Sequence, residues 1–462
     1  MRRYLALFLV LTFFTVLPIL AAEKVDLLVT GGTVVTMAGP DISDGAIAIR
    51  DGEIVAVGPA AEIAGHYEAK DLIDAHGMAV LPGFVNAHTH APMVLFRGIA
   101  DDRSLMDWLQ NFIFPAEKKN VDRDFVKWGT RLAAAEMIRS GTTTFVDMYY
   151  FEADIARETR AAGLRGVLGE TVIDFPAPDN KTWDDAMKYV RAYAEEYKSD
   201  PLIVPAIAPH APYTVSAEHL KDVRRLADEL KIPILIHLSE TTDEVDGIVK
   251  KSGMRPVPYL DSLGFLGPDV IAAHGIWLTD DEMKELAAKG VSVAHCPQSN
   301  MMLASGVAPV VALRKAGVNV ALGTDGPAGS NDNLDMIEEM ATAARLQKVT
   351  NRDPRALGAR DVLEMATIDG ARAIGMADRI GSIEKGKRAD LAIIDLSGVE
   401  TQPVYSVESA IVYAASEHQV STTIVDGRIL MRNHRILSVN VPEALRKAKE
   451  YQRKISASLA TE

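Results

Sequence analysis

Two histidines one residue apart, His88 and His90, close the run Pro82-Gly83-Phe84-Val85-Asn86-Ala87-His88-Thr89-His90. Alternate positions of a strand share one face, so both imidazoles can meet a single cation at the strand's end. Distant segments must then supply the remaining ligands. Three runs offer candidates: Ile234-Leu235-Ile236-His237-Leu238-Ser239-Glu240, Ala272-Ala273-His274-Gly275, and Val320-Ala321-Leu322-Gly323-Thr324-Asp325-Gly326. His237 can complete a metal shell, while Glu240, three residues on, can face a substrate as a proton shuttle without ligating. Asp325 can serve both as ligand and as base toward a water whose pKa a cation lowers to about 7. Each residue also has an ordinary reading. A His-x-His pair occurs on exposed strands, an aspartate among glycines is commonly a turn residue, Glu240 before Thr241 and Thr242 suits a helix start, and His274 can be a satisfied core residue. Their joint placement argues for chemistry.

That placement requires a frame. Eight strand-like runs alternate with helical stretches: residues 84–88, 143–147, 166–171, 203–208, 234–237, 270–274, 291–295 and 318–323. Alternation of this kind predicts parallel strands joined by crossover helices, and eight strands close a barrel. Amphipathic stretches at 125–139 and 217–230 are two of the expected helices. In such barrels chemistry sits at the C-terminal ends of the strands. Six of the eleven histidines (His88, His90, His210, His237, His274, His295) fall there, together with Asp325. His66, His76, His219, His418 and His434 do not, and are read as surface or packing residues.

The predicted class is α/β, a (β/α)8 TIM barrel over residues 82–378 with a small β-sandwich built from both chain ends. Short strand-like runs over 23–81, with Asp51-Gly52 as a hairpin turn, predict an antiparallel unit, and the same texture returns over 379–440. Residues 441–462 read as a C-terminal surface helix. Met1-Arg2-Arg3, the apolar run Tyr4 to Leu20 and Ala21-Ala22 predict a signal peptide over 1–22, hence export to the periplasm. An uncleaved leader anchoring the chain in a membrane is the alternative, and no later segment suggests membrane contact. A net charge of −14 opposes binding to a nucleic-acid polymer. The single cysteine, Cys296, excludes an intramolecular disulfide and leaves the redox compartment undecided.

The motifs in combination resemble the amidohydrolase superfamily, specifically its mononuclear deaminase branch. Pro82 to Met93, Ala208-Pro209-His210-Ala211-Pro212-Tyr213 and Leu322 to Gly326 are similar to 5-methylthioadenosine/S-adenosylhomocysteine deaminases and to the related triazine chlorohydrolases, over about residues 25–437. The resemblance implies one divalent metal, zinc or alternatively iron, held by His88, His90, His237 and Asp325. Dinuclear relatives carry a carbamylated lysine at the end of the fourth strand, where this chain has Pro209-His210. It also implies that His274 orients the attacking water, that Asp325 takes its proton, and that Glu240 protonates the ring nitrogen beside the carbon under attack.

For the substrate, the resemblance points to Trp108 and Glu117 in a nucleoside pocket, with Glu117 accepting from the ribose hydroxyls and His210 contacting the purine. Glu117 before Lys118 and Lys119 also suits a helix-capping role. Relatives that take the amino-acid tail of S-adenosylhomocysteine tend to have an arginine near the end of the third strand, where this chain has Gly169-Glu170-Thr171. A carboxylate there would repel a substrate carboxylate, so tail-less nucleosides such as 5-methylthioadenosine or adenosine are expected. A homo-oligomer is also expected. The competing readings are a hydrolase that displaces chloride or an amine from another N-heteroaromatic ring of triazine, guanine or pterin type, and a non-catalytic exported binding protein.

Overall fold

The computed structural model describes residues 22–460, so the expected leader lies outside the described residues except for Ala22. The chain begins with β1 (Glu23–Val34), β2 (Ile42–Arg50), β3 (Glu53–Pro59), β4 (Tyr67–Asp74) and β5 (Met78–Pro82). The barrel strands follow: β6 (Phe84–Thr89), β7 (Thr142–Tyr149), β8 (Arg165–Val172), β9 (Ile203–Pro209), β10 (Ile234–Leu238), β11 (Val270–His274), β12 (Ser292–His295) and β13 (Asn319–Leu322). Four strands end the set: β14 (Leu391–Asp395), β15 (Val420–Val425), β16 (Arg428–Arg432) and β17 (Arg435–Ile436).

β6 to β13 pair in chain order as one eight-stranded parallel sheet. All eight strands expected from the sequence are present. Small and branched side chains such as Val85, Ala87, Val146, Ala206, Ile271 and Ala321 fill the interior, as a packed barrel requires. The ring closes where the end of β13 meets β6. There the Asp325 amide donates to the His88 carbonyl at 2.9 Å, and Thr89 and Asp325 form a parallel bridge. Gly323 permits this approach, because a Cβ at that position would stand 2.7 Å from the His88 nitrogen. The expected helices appear as Arg123–Arg139 and Ala217–Leu230, each N-capped by a side chain, Asp122 and Ser216 respectively.

The two chain ends build one nine-stranded sheet in which β14 lies antiparallel to β5. It is mixed rather than purely antiparallel, because β4 and β5 run parallel to β1. The β2–β3 hairpin and a short helix intervene, so the chain re-enters beside β1 in the same direction. Asp51-Gly52 does form the expected two-residue turn, with φ of 53° and 75°, and Asp426-Gly427 repeats it with φ of 53° and 74°. These turns touch: a Cβ on Gly427 would lie 2.7 Å from the Gly52 Cα. The sheet wraps an apolar core that includes Leu27, Ile47, Ile49, Leu391 and Ile424, and Val25, Leu28 and Ala48 form a second, smaller one.

A buried ion pair ties this sheet to the barrel. Arg165, at the start of β8, donates from Nε and Nη2 to the two Asp390 oxygens at 3.1 and 3.3 Å and from Nη1 to the Pro201 carbonyl at 2.8 Å. Both side chains are almost wholly buried. The C-terminal helix Val441–Leu459 docks on the barrel through Tyr451, whose ring meets Phe125 edge-on at 5.6 Å. Among the described residues, no helix is long and apolar enough to cross a membrane.

Candidate active site

The strand ends converge on one point. One ligating atom each from His88, His237, His274 and Asp325 falls within 4.8 Å of the others, and all four residues are buried. His90 joins them, with Nε2 3.2 Å from Asp325 Oδ1, while His88 Nε2 lies 3.3 Å from the same oxygen. The four expected ligands are thus brought together with His274. A regular strand does not carry the first pair: the β6–β7 ladder is irregular between Asn86 and Thr89, and His90 lies beyond the end of β6. Asp325 and His274 both adopt left-handed backbone, φ 64° and 73°, a conformation costly for non-glycine residues and concentrated at functional sites.

Three of the four imidazoles are fixed by their other nitrogen. His90 Nδ1 donates to the Met148 carbonyl at 2.6 Å, and His237 Nδ1 donates to the His210 carbonyl at 2.8 Å. A carbonyl accepts only, so in both rings Nδ1 is the donor and Nε2 is the nitrogen turned inward. His274 Nδ1 bonds Asn300 Oδ1 at 3.0 Å, which leaves its Nε2 3.6 Å from Glu240 Oε2. Asp325 Oδ2 accepts from Ser299 Oγ at 2.6 Å and Oδ1 from the Gly326 amide at 2.7 Å.

Electrostatics match this arrangement. Burial holds His88 down at about 4 and His237 well below its ordinary value, so both present neutral, ligating nitrogens. Burial also works against charge on His90, but Asp325 outweighs it and lifts the imidazole to about 9. Burial alone would raise Asp325, yet the adjacent His88 and His90 imidazoles hold its carboxylate well below the usual range. The cluster therefore draws in positive charge. His88 Nε2 is buried without a hydrogen-bond partner. An orphaned lone pair beside an ionised carboxylate and two oriented imidazoles suits a divalent cation in a mixed N/O site.

Above the cluster opens a cavity that reaches from the strand ends toward solvent. Trp108, Glu117, His210, Glu240, His274 and Asp325 all line it. Burial raises Glu240 from its ordinary value; its Oε1 accepts from Ser305 Oγ at 3.1 Å and its amide donates to Glu244 Oε2 at 2.7 Å. His210 uses Nδ1 on Thr214 Oγ1 at 3.1 Å, and burial holds it neutral, at about 3. Trp108 spends its N–H on the Ala328 carbonyl at 2.7 Å and so offers the cavity an apolar face. Glu117 is wholly buried and raised to about 7, so it does not act as an exposed helix cap.

Two residues stand elsewhere than expected. His295 is buried outside the cavity with neither ring nitrogen hydrogen-bonded. Glu170 does not line the cavity either: its carboxyl accepts from Asn180 Nδ2 and from the Glu152 amide, both at 3.0 Å. Burial raises it well above its ordinary value, and its carboxyl is turned to Asn180 and the Glu152 amide rather than to the cavity. Sequence reasoning missed Ser299, Asn300 and Ser305, which follow β12 and hold Asp325, His274 and Glu240. The available signal was a polar segment directly after a predicted strand end, Gln298-Ser299-Asn300.

Residues 79–430 match the model of the amidohydrolase family. The chain belongs to this family. Among its relatives, a Syntrophobacter fumaroxidans protein named 5-methylthioadenosine/S-adenosylhomocysteine deaminase is 47% identical over 438 residues, covering 94% of this amidohydrolase and all of the relative. A Thermococcus onnurineus protein of the same name is 50% identical over 365 residues, 79% of this chain and 85% of that one. A crystal structure of a Xanthomonas campestris adenosine deaminase with bound zinc superposes with TM-score 0.93 at 42% identity, covering 94% of this chain and all of that one. An Arthrobacter aurescens triazine hydrolase, TM-score 0.85 at 22% identity over 92% of this chain and 99% of its own, shares the fold.

Proposed function

We propose that this amidohydrolase removes the exocyclic amine of a purine ribonucleoside by hydrolysis, releasing ammonia. The observation that carries the reading is the pair Glu240 and His274, buried side by side where the histidine-aspartate cluster meets the cavity that both residues line. The relatives' names and the Xanthomonas deaminase's superposition support it.

An amine on an aromatic ring is a poor leaving group, so the neighbouring ring nitrogen must gain a proton as water adds to the carbon. Glu240 is the group that carries that proton, because burial disfavours its anion and raises its hold on the proton. Ser305 and Glu244 fix its carboxyl and backbone, so the proton is delivered from a set position. His274 faces the same space and orients the water, and Asp325, kept ionised, accepts the water's proton. That proton then passes to the amine, the C–N bond breaks and ammonia leaves, while the adduct's hydroxyl gives its proton to the Glu240 carboxylate, so that the carbonyl forms and the acid is restored. His88, His90, His237 and Asp325 hold one divalent cation, zinc in the first instance and iron as the alternative. When bound, such a cation makes water acidic enough to supply the nucleophile near neutral pH.

His210 and Trp108 flank the base, and Glu117 takes the sugar hydroxyls. Among the described residues, no lysine or arginine lines the cavity, whereas Glu117, Glu240 and Asp325 do. An anionic tail would be desolvated there without a cationic partner, which costs far more than burying a neutral substituent. Adenosine and 5-methylthioadenosine are therefore the favoured substrates over S-adenosylhomocysteine, for want of a cation rather than through Glu170. The test is a panel of nucleosides, free bases and chlorotriazines scored for ammonia or chloride. Ammonia from adenosine or 5-methylthioadenosine supports the reading; chloride release with no ammonia from any nucleoside refutes it.

A further inference from the structure

Tyr149 ends β7 one residue after Met148, whose carbonyl orients His90. Its side chain lines the cavity and is only 3% exposed, and its hydroxyl oxygen is buried without a hydrogen-bond partner. A buried hydroxyl left unpaired costs about 1–3 kcal/mol. At a cavity wall that cost is recovered when a ligand supplies the partner. Neither position nor rotation is loose: the Tyr149 amide donates to Glu152 Oε1 at 2.9 Å, its backbone pairs with Glu170 of β8, and its ring packs on Tyr150 at 5.0 Å between centroids.

Beside it in the cavity lining stands the Glu117 carboxyl, near enough to interact with the Tyr149 hydroxyl but outside hydrogen-bonding geometry. Once ionised, Glu117 can only accept, so it takes the protons of two adjacent hydroxyls and leaves their lone pairs unsatisfied. Burial, then the nearby Glu117, keeps Tyr149 a neutral phenol, which makes it a donor. Acceptor and donor side by side complement a vicinal diol, since each hydroxyl of the diol gives one proton and receives another.

We propose that the Tyr149 hydroxyl is a specificity-determining contact that, with Glu117, reads the ribose diol and sets ribonucleosides above deoxyribonucleosides. The inference rests on the deaminase reading and adds to it the sugar selectivity and the residue responsible. A sugar lacking the contacted hydroxyl leaves the phenol buried and unpaired, and sites built on such hydrogen bonds reject the deficient analogue strongly.

The experiment is steady-state kinetics of wild type and Tyr149→Phe on adenosine, 2′-deoxyadenosine and 3′-deoxyadenosine, with melting temperature as the folding control. The variant is expected to lose about tenfold in kcat/KM on adenosine, mainly through KM, the effect of about one hydrogen bond. On the deoxynucleoside that lacks the contacted hydroxyl it is expected to match wild type within about twofold, because nothing remains there to lose. An equal loss on all three nucleosides, or no loss on adenosine, overturns the assignment while leaving the deaminase reading intact. Wild type inactive on all three overturns both.

Discussion

Replacing Glu240 with glutamine removes one ionisable proton and almost nothing else. The carboxyl is 3% exposed, its Oε1 accepts from Ser305 Oγ at 3.1 Å, and its amide is held by Glu244 at 2.7 Å. A glutamine side chain has the same length and its carbonyl can still accept from Ser305, so fold and site shape should persist. The separation of 3.6 Å between Glu240 Oε2 and His274 Nε2 also tolerates an amide. What disappears is the acid that protonates the ring nitrogen. A positioned general acid contributes about 10²–10⁴-fold, or roughly 3–5 kcal/mol of barrier. The assay is kcat and KM for adenosine by ammonia release, with metal content measured on the same preparation. The expected result is kcat lower by about 10²–10⁴-fold, with KM within a few-fold and metal content unchanged. Activity within about twofold of wild type would refute the role of Glu240, and so would a loss that merely tracks lost metal.

Three other outcomes follow from the same geometry. His88→Ala and Asp325→Ala each remove a donor from the cluster, so elemental analysis should find metal well below one per chain; either variant holding a full equivalent would contradict the ligand set. Burial lifts Glu117 from 4.5 to about 7, so between those values the folded chain keeps a proton that the unfolded chain releases, and this group's support for the fold is full below pH 4.5 and declines toward pH 7. Glu117→Gln should remove that slope, so its melting temperature relative to wild type should rise across the window; a constant difference would contradict the shift. Arg165→Met strands Asp390 in the interior, at an expected cost of about 3–5 kcal/mol in urea unfolding, and a cost under about 1 kcal/mol would show that the pair does not join barrel and sheet.

The barrel was legible because its strands are short apolar runs whose polar residues collect at one end. His237, His274 and Asp325 stand out for that reason: each interrupts or ends a run that otherwise reads as core. The oriented tautomers were not legible, since His90 and His237 lean on the backbone carbonyls of Met148 and His210, and a carbonyl has no residue type. Asn300 and Ser299 look like the polar start of a surface helix, and only the convergence of β11, β12 and β13 turns them toward His274 and Asp325. His295 was misleading for the opposite reason. It sits at a strand end like the ligands but lies outside the cavity, a distinction the strand register settles and composition does not. The parallel pairing of β4 and β5 with β1 likewise depends on where the chain re-enters the sheet.

The central claim is that one cation held by three imidazoles and Asp325 is required for hydrolytic loss of the purine amine. It is tested most directly by stripping the protein with a chelator, restoring zinc in measured increments, and recording ammonia release from adenosine against bound metal. The account requires negligible turnover in the stripped protein and a linear rise that saturates at one equivalent per chain. Full turnover in stripped protein, or a rise that continues to two equivalents, would contradict it.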